Sequence, residues 1–252
     1  MVGALFDLTR GPWWGLFTAL VLIGFFMKWG EKLVLVAGKA RYVTEDELLV
    51  NQVKNFCWHL NIEEVKIYWS NSFVNNVYFM DSFLGKPALV IGKNVYNHFT
   101  RNELNSLIYA SLLRIRSKEA RNRTFVSLLF LILYSPIYIA RSFFKSNRIR
   151  KMFEVFFYPA FSLKAIIYEN EIEVIAFDRE VGKLEGLKKD YMAALFKISQ
   201  MPSFFESSVG SLVLSELSHV KNTSDNVLSN ILYKQVDVKT RMKALGSQIY
   251  GH

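Results

Sequence analysis

One short stretch of the sequence comes close to a zinc-binding motif. A helix that carries His-Glu-x-x-His places two histidines one turn apart, where both can bind zinc, and leaves the glutamate beside a metal-bound water. The stretch SELSHVKN (215–222) has this pattern with serine in place of the first histidine. No two histidines of the chain lie three, four or five residues apart; the four are His59, His98, His219 and His252. A zinc motif of two neighbouring histidines is therefore excluded, and His219 is predicted to be an ordinary surface or core histidine.

Other common site chemistries also lack their residues. Cys57 is the single cysteine, which excludes a cysteine-based zinc site and an internal disulfide, and it is predicted to be a small buried hydrophobe. There is no Gly-x-Ser-x-Gly elbow, and VAGKARY (36–42) lacks the glycine spacing of a phosphate-binding loop. The sequence therefore offers no ready nucleophile and no nucleotide site.

The composition indicates contact with a membrane. Of the 252 residues, 51% are hydrophobic and 21 are phenylalanine, while the net charge is +9. The basic residues lie beside apolar runs, so the charge favours attraction to anionic lipid rather than to nucleic acid. Membrane lipid is thus the predicted partner, and no nucleic acid is expected.

The N-terminal region is predicted to be a transmembrane anchor. Residues 11–27 carry no charge, and tryptophans lie near both ends of this run, as in the aromatic belts of membrane helices. A cleaved signal peptide is disfavoured because the preceding residues are weakly charged and no cleavage site follows closely. Basic residues come next: Lys28, Lys32, Lys39 and Arg41. We therefore expect an anchor over 1–30 in the inner or cytoplasmic membrane, with the soluble domain in the cytoplasm.

A second apolar region is predicted to form a membrane-associated helical hairpin over 124–168. Residues 124–140 are uncharged, and 152–168 are rich in aromatic residues. A basic loop joins them and is predicted to face lipid; its residues are Arg141, Lys145, Arg148, Arg150 and Lys151. A spanning hairpin would place this loop opposite the soluble domain, against the positive-inside rule, whereas a re-entrant hairpin would not. The sequence leaves both arrangements open.

The remaining patterns predict an α+β fold, mainly helical with a small sheet. Thr44 and Glu47 predict a capped amphipathic helix over 44–60, and Thr100 with Glu103 predicts a second capping box. Strands are predicted at 65–70, 73–80 and 88–92, and further helices at 100–119, 169–186, 188–201 and 236–245. Gly186 is the predicted boundary between the two helices near it.

This order of elements resembles the HtpX-like membrane zinc metallopeptidases, which are related to the CAAX prenyl protease and the Oma-type peptidases. KPALVIGKNVYNHFTRNELNSLIYASLLRIRSKE (86–119) resembles the family's edge strand and zinc helix. FDREVGKLEGLKKDYMAALFKI (177–198) resembles its acidic-motif helix and the helix after it, and QVDVKTRMKAL (235–245) its late arginine segment. The resemblance covers roughly 40–246 and implies a peptidase-type domain over 40–252, with the hairpin inserted in it.

The resemblance also implies that the zinc site is degenerate. The two zinc histidines of the family fall on Ala110 and Arg114, the general-base glutamate on Ser111, and the third ligand on Val174. Two family positions are retained, namely Asp178 and Arg241. Without ligands or base, zinc could not activate water. We therefore expect no zinc, no other cofactor and no catalysis, which makes the chain a pseudopeptidase.

Arg114 brings a permanent positive charge to the position of a metal ligand. We expect it to form an ion pair with Asp178 or Glu173 across two helices. Such a protein would act as a scaffold, a regulator or a subunit of a membrane complex, with a protein partner or a second copy. Strand 88–92 could bind an extended peptide by strand addition.

Two other functions stay open at this point. One is a hydrolase with a rebuilt site, which needs Asp178, Glu173, Ser111 or His219 in one pocket. The other is a structural protein that shapes the bilayer through its hairpin.

Overall fold

The computed structural model describes residues 11–71, 76–81, 85–122, 124, 171–201 and 238–246. The first half contains two helices, a short strand and then the rest of a sheet: α1 (Gly11–Ala37), β1 (Arg41–Tyr42), α2 (Glu47–Leu60), β2 (Lys66–Ser70), β3 (Val77–Met80) and β4 (Ala88–Gly92). Helices follow: α3 (Lys93–His98), α4 (Arg101–Arg116), α5 (Glu171–Gly182), α6 (Glu185–Gln200) and α7 (Val238–Gly246). Apart from Thr124, the predicted hairpin and its basic loop lie outside the described residues, as does His219. The fold is thus α+β and mainly helical, with a small sheet, as predicted.

The described strands form one sheet in the order β1-β2-β4-β3. β2 and β4 are parallel, with Lys66 opposite Ala88, whereas β1 and β3 run antiparallel to their neighbours. The expectation that 88–92 could accept a peptide by strand addition is wrong. β4 lies inside the sheet, and β2 and β3 already take up the hydrogen bonds of its two sides.

Both faces of the sheet are covered, which explains why β4 is apolar at every position. Leu89 and Ile91 point to a core shared with α2 and α4. Ala88 and Val90 point to the opposite face, where they join Val34 and Leu35 of α1 in a second core. This alternation is the two-residue period of a strand. The sheet is therefore held between α4 on one side and the end of α1 on the other.

The ends of α2 and α4 are defined by side-chain caps. The predicted cap at Thr44 is wrong: Asp46 caps α2, and its carboxylate accepts a hydrogen bond of 3.0 Å from the Leu49 N–H. The Asp46 carboxylate also accepts hydrogen bonds of 2.9 Å and 3.0 Å from Arg101. The predicted capping box of α4 is confirmed, because Thr100 and Glu103 exchange side-chain to backbone hydrogen bonds of 3.3 Å and 2.9 Å.

Two further predictions differ from the structure. The break between α5 and α6 falls at residues 183–184, and Gly186 lies inside α6. Within the part of the chain that the structure describes, no helix combines the length and the apolar character needed to cross a membrane. The predicted anchor over 1–30 is therefore not confirmed, and the division into an anchor and a domain over 40–252 stays a prediction.

Candidate functional site

Helix α4 carries the three positions at which the resemblance places zinc ligands and the general base. Its capping box fixes its start, and its apolar residues pack under the sheet. Ala110 and Ser111 are buried, with 1% and 0% of their surface exposed. Ala110 has no ligand atom, and the Ser111 hydroxyl donates a hydrogen bond of 2.8 Å to the Leu107 carbonyl of its own helix. These two side chains thus form part of the packed interior.

Arg114 lies among aromatic rings between the sheet and α5. Its side chain is 2% exposed, and its guanidinium carbon is 5.3 Å from the ring centre of Phe79 and 5.9 Å from that of Phe177. Aromatic faces carry partial negative charge, so both rings stabilise the cation. The Glu119 carboxylate adds a longer ion pair, with 4.0 Å between Oε1 and an Arg114 nitrogen. The charge of Arg114 therefore occupies the region between β3 and α5.

Asp178 forms the centre of a buried polar network that joins α5, α6 and α7. Arg241 donates two hydrogen bonds of 2.7 Å to the two carboxylate oxygens of Asp178. The Tyr191 hydroxyl donates a third bond, also of 2.7 Å, and accepts one of 2.9 Å from Arg241. Asp178 is 0% exposed, Tyr191 1% and Arg241 3%. One residue from each helix is thus held in a fixed geometry.

The network also determines the protonation states of Tyr191 and Arg241. Burial raises the pKa of the Tyr191 hydroxyl above its ordinary value, and the charge of Asp178 raises it further. Burial alone would lower the pKa of Arg241, but Tyr191 and Asp178 outweigh that effect and raise it. Tyr191 therefore stays neutral, and Arg241 stays charged. Neither group is suited to exchange protons near neutral pH.

The partner of Asp178 differs from the predicted one. We expected Arg114 to form an ion pair with Asp178 or Glu173, but the Asp178 carboxylate bonds with Arg241 and Tyr191. The turn of α5 that carries Asp178 packs against α6 and α7, which bring these two partners to it. The side chain of Glu173 lies outside the described residues, so its pairing with Arg114 stays a prediction.

The residues at the degenerate site do not fit a zinc ion. Zinc in proteins is held by Cys, His, Asp or Glu, and Ala110 and Arg114 offer none of these atoms. Val174, at the position of the third ligand, is an aliphatic residue one turn before Asp178 on α5. Both oxygens of Asp178 already accept hydrogen bonds from a guanidinium. Among the residues that the structure describes, no group of three or more His, Cys, Asp or Glu side chains could hold a metal.

Sequence reasoning missed Tyr191 as a member of the network. A signal was present, because Tyr191 lies at helical spacing with Ala194, Leu195 and Ile198, which are all buried. A tyrosine on the apolar face of a helix needs a hydrogen-bond partner for its hydroxyl. The aromatic neighbours of Arg114 had no comparable signal, because Phe79 and Phe177 are distant in sequence.

Comparison with known proteins shows a similarity in structure and none in sequence. No family model matches the chain, and no curated protein matches it in sequence. Ste24p from S. mikatae, a CAAX prenyl protease and zinc metallopeptidase, is a similar solved structure, with a TM-score of 0.54 at 14% identity. The match covers 92% of this chain and 58% of Ste24p. At this identity the match shows a similarity of fold alone.

Proposed function

We propose that this chain is a membrane-anchored, metallopeptidase-like protein that acts by binding and has no peptidase activity of its own. The observation that carries the proposal is the buried Arg114, whose cation lies between Phe79 and Phe177 where the resemblance places a zinc ligand. A fixed positive charge at that position repels a dication. The membrane part is supported by the apolar sequence of 11–27 and by the fold similarity to a membrane protein.

The chemistry of the neighbouring residues also argues against hydrolysis. A zinc peptidase needs a metal that lowers the pKa of bound water and a carboxylate that takes its proton. Ser111 has no carboxylate, and its hydroxyl is buried and bonded to its own helix. The Asp178 carboxylate already accepts hydrogen bonds from Arg241 and Tyr191. A rebuilt site on Ser111 and Asp178 would have to break both arrangements before it could meet a substrate.

A binding role is supported by apolar side chains on the surface of α2. Leu48 is 75% exposed and Trp58 is 79% exposed. Exposed tryptophan is enriched where protein partners bind, because its large ring contributes contact area at low entropic cost. We infer that the protein serves as a scaffold, a regulator or a subunit of a membrane complex.

Elemental analysis of the full chain, purified without chelators, tests the loss of the metal. We expect far less than one zinc per chain in the parent and also in Arg114→Ala, since removal of the cation does not supply a ligand. About one zinc per chain that is removed by a chelator would overturn the proposal. A zinc content of one in Arg114→Ala alone would show that the cation, rather than the missing ligands, excludes the metal.

Purification from the native membrane in mild detergent tests the binding role. We expect a protein that copurifies at fixed stoichiometry and is lost in the double variant Leu48→Ser and Trp58→Ser. The control is Lys54→Gln, because Lys54 lies on the same helix and is well exposed. Recovery of the parent chain as a monomer with no bound protein would contradict a binding role.

A further inference from the structure

The described side chains of helix α1 include an exposed stripe that runs from Phe17 to Val36. Positions separated by three or four residues lie on the same face of a helix. The stripe consists of Phe17, Leu20, Val21, Gly24, Phe25, Lys28, Lys32 and Val36, all of which are exposed. Its first part is apolar, with 58% of Phe17 and 59% of Leu20 exposed. A Cβ atom added at Gly24 would meet nothing within 4 Å, so this face of the helix is open.

The character of the α1 stripe changes at Lys28. The Lys28 Nζ lies 4.9 Å from the ring centre of Trp29, and Lys32 follows one turn later. Exposed Lys39 and Arg41 continue the basic region after the helix ends. A stripe that is apolar, then aromatic, then basic follows the order of hydrocarbon, interface and headgroup in a bilayer.

The C-terminal end of α1 packs against the sheet, and this packing fixes the direction in which its basic residues point. Val34 and Leu35 are buried against Tyr78, Met80 and Val90. Glu31 is the only acidic residue between 11 and 44, and it is buried with 6% of its surface exposed. The exposed charged side chains between 11 and 44 are therefore all basic.

We propose that Lys28 and Lys32, together with Lys39 and Arg41, bind the headgroups of anionic phospholipids. Anionic phospholipid is the ligand that complements this surface. Its phosphate groups match the four exposed cations, and its acyl chains match the apolar stripe beside them. Trp29 contacts Lys28 and therefore lies at the depth where an aromatic residue is expected at the membrane–water interface. This inference rests on the proposed membrane anchoring, and it adds the residues that contact the anionic headgroups.

Quenching of tryptophan fluorescence by brominated lipid tests the proposal on the full chain in nanodiscs. The probes are brominated phosphatidylglycerol and brominated phosphatidylcholine, each at the same mole fraction in a phosphatidylcholine disc. Subtraction of the signal of Trp29→Phe assigns the quenching to Trp29, since the chain has five tryptophans. At low salt we expect the anionic lipid to quench Trp29 at least about twofold more than the zwitterionic lipid.

The double variant Lys28→Gln and Lys32→Gln should bring this ratio to about one, because the local cations are gone. The matched control, Lys93→Gln with Lys189→Gln, removes the same charge at exposed positions of α3 and α6 and should keep the parent ratio. A parent ratio of one, or a ratio unchanged in Lys28→Gln and Lys32→Gln, would overturn the inference. Absence of quenching by either lipid would overturn it too, because Trp29 would then lie away from the bilayer.

The test separates this inference from the proposed loss of catalysis. A protein that binds zinc and still selects the anionic lipid would overturn the pseudopeptidase proposal alone. A zinc-free protein with equal quenching by both lipids would overturn the headgroup inference alone.

Discussion

Removal of the Arg241 side chain tests whether the Asp178 network stabilises the fold. In Arg241→Ala, the Asp178 carboxylate loses two hydrogen bonds of 2.7 Å and its ion pair with Arg241, at a position that is 0% exposed in the parent. Among the described contacts, the hydrogen bond from the Tyr191 hydroxyl to this carboxylate remains. Loss of one partner of a buried pair costs about 3–5 kcal/mol, because the other charge is left without compensation. We expect a destabilisation of that size.

The expected change in melting temperature follows from the length of the chain. For a protein of about this size, each kcal/mol shifts the melting temperature by about 2–4 °C, so Arg241→Ala should melt about 6–20 °C below the parent. The double variant Arg241→Met and Asp178→Leu removes both charges, and it should melt above Arg241→Ala because apolar replacement of a buried pair is often tolerated.

Thermal unfolding of the full chain in detergent, followed by circular dichroism, measures these shifts. Lys54→Ala is the control, because the Lys54–Glu64 ion pair of 3.2 Å has side chains that are 53% and 60% exposed. An exposed pair contributes about 0–1 kcal/mol, so the control should melt within about 4 °C of the parent. If Arg241→Ala melts as high as this control, the network does not hold α5, α6 and α7 together.

Three further predictions concern other parts of the molecule. The side-chain hydrogen bond from Arg101 lowers the pKa of Asp46 to about 2, so this pair stabilises the folded state above about pH 4 and its contribution is lost as the pH falls toward 2. Urea titrations across that window should show a smaller decrease in Arg101→Gln, and equal decreases in the two proteins would contradict the assignment. Thr100→Ala should lower the free energy of unfolding by about 1 kcal/mol, whereas Thr100→Ser should keep the capping box of α4; equal losses in both would exclude the cap as the cause. Cys57 is buried and burial raises the pKa of its thiol, so a thiol reagent should react with it only after denaturation, and rapid labelling of the folded protein would refute this.

Local patterns predicted most of the described elements. The strands at 66–70, 77–80 and 88–92 and the helix that follows Thr100 lie where apolar periodicity and capping residues placed them. The order of strands could not be predicted in this way. Whether β4 lies inside the sheet or at its edge depends on which strands pair, and an all-apolar strand fits any position that is covered on both faces. Tertiary contact also decided the start of α2, where Arg101 fixes Asp46 from 55 residues away.

The residues of the candidate site were likewise predicted only in part. The retained positions Asp178 and Arg241 were identified through the resemblance, and the structure brings them into contact although 63 residues separate them. The surroundings of Arg114 were not foreseen, because a buried cation can be stabilised by a carboxylate or by aromatic faces and the sequence does not choose between them. The fold brings two phenylalanine rings to the guanidinium, while the predicted pairing with Glu173 stays a prediction.

The continuity of α1 has a mechanical consequence. The helix runs without a break from Gly11 to Ala37, and its last turns are clamped to the sheet through Val34 and Leu35. At 1.5 Å per residue, the clamp lies about 10 Å along the axis from Lys28. If the helix tilts as a rigid body about Lys28, a 10° change in tilt moves Val34 and Leu35 sideways by about 2 Å. With α1 as the proposed membrane anchor, a change of bilayer thickness that altered its tilt would also move the sheet packed on it.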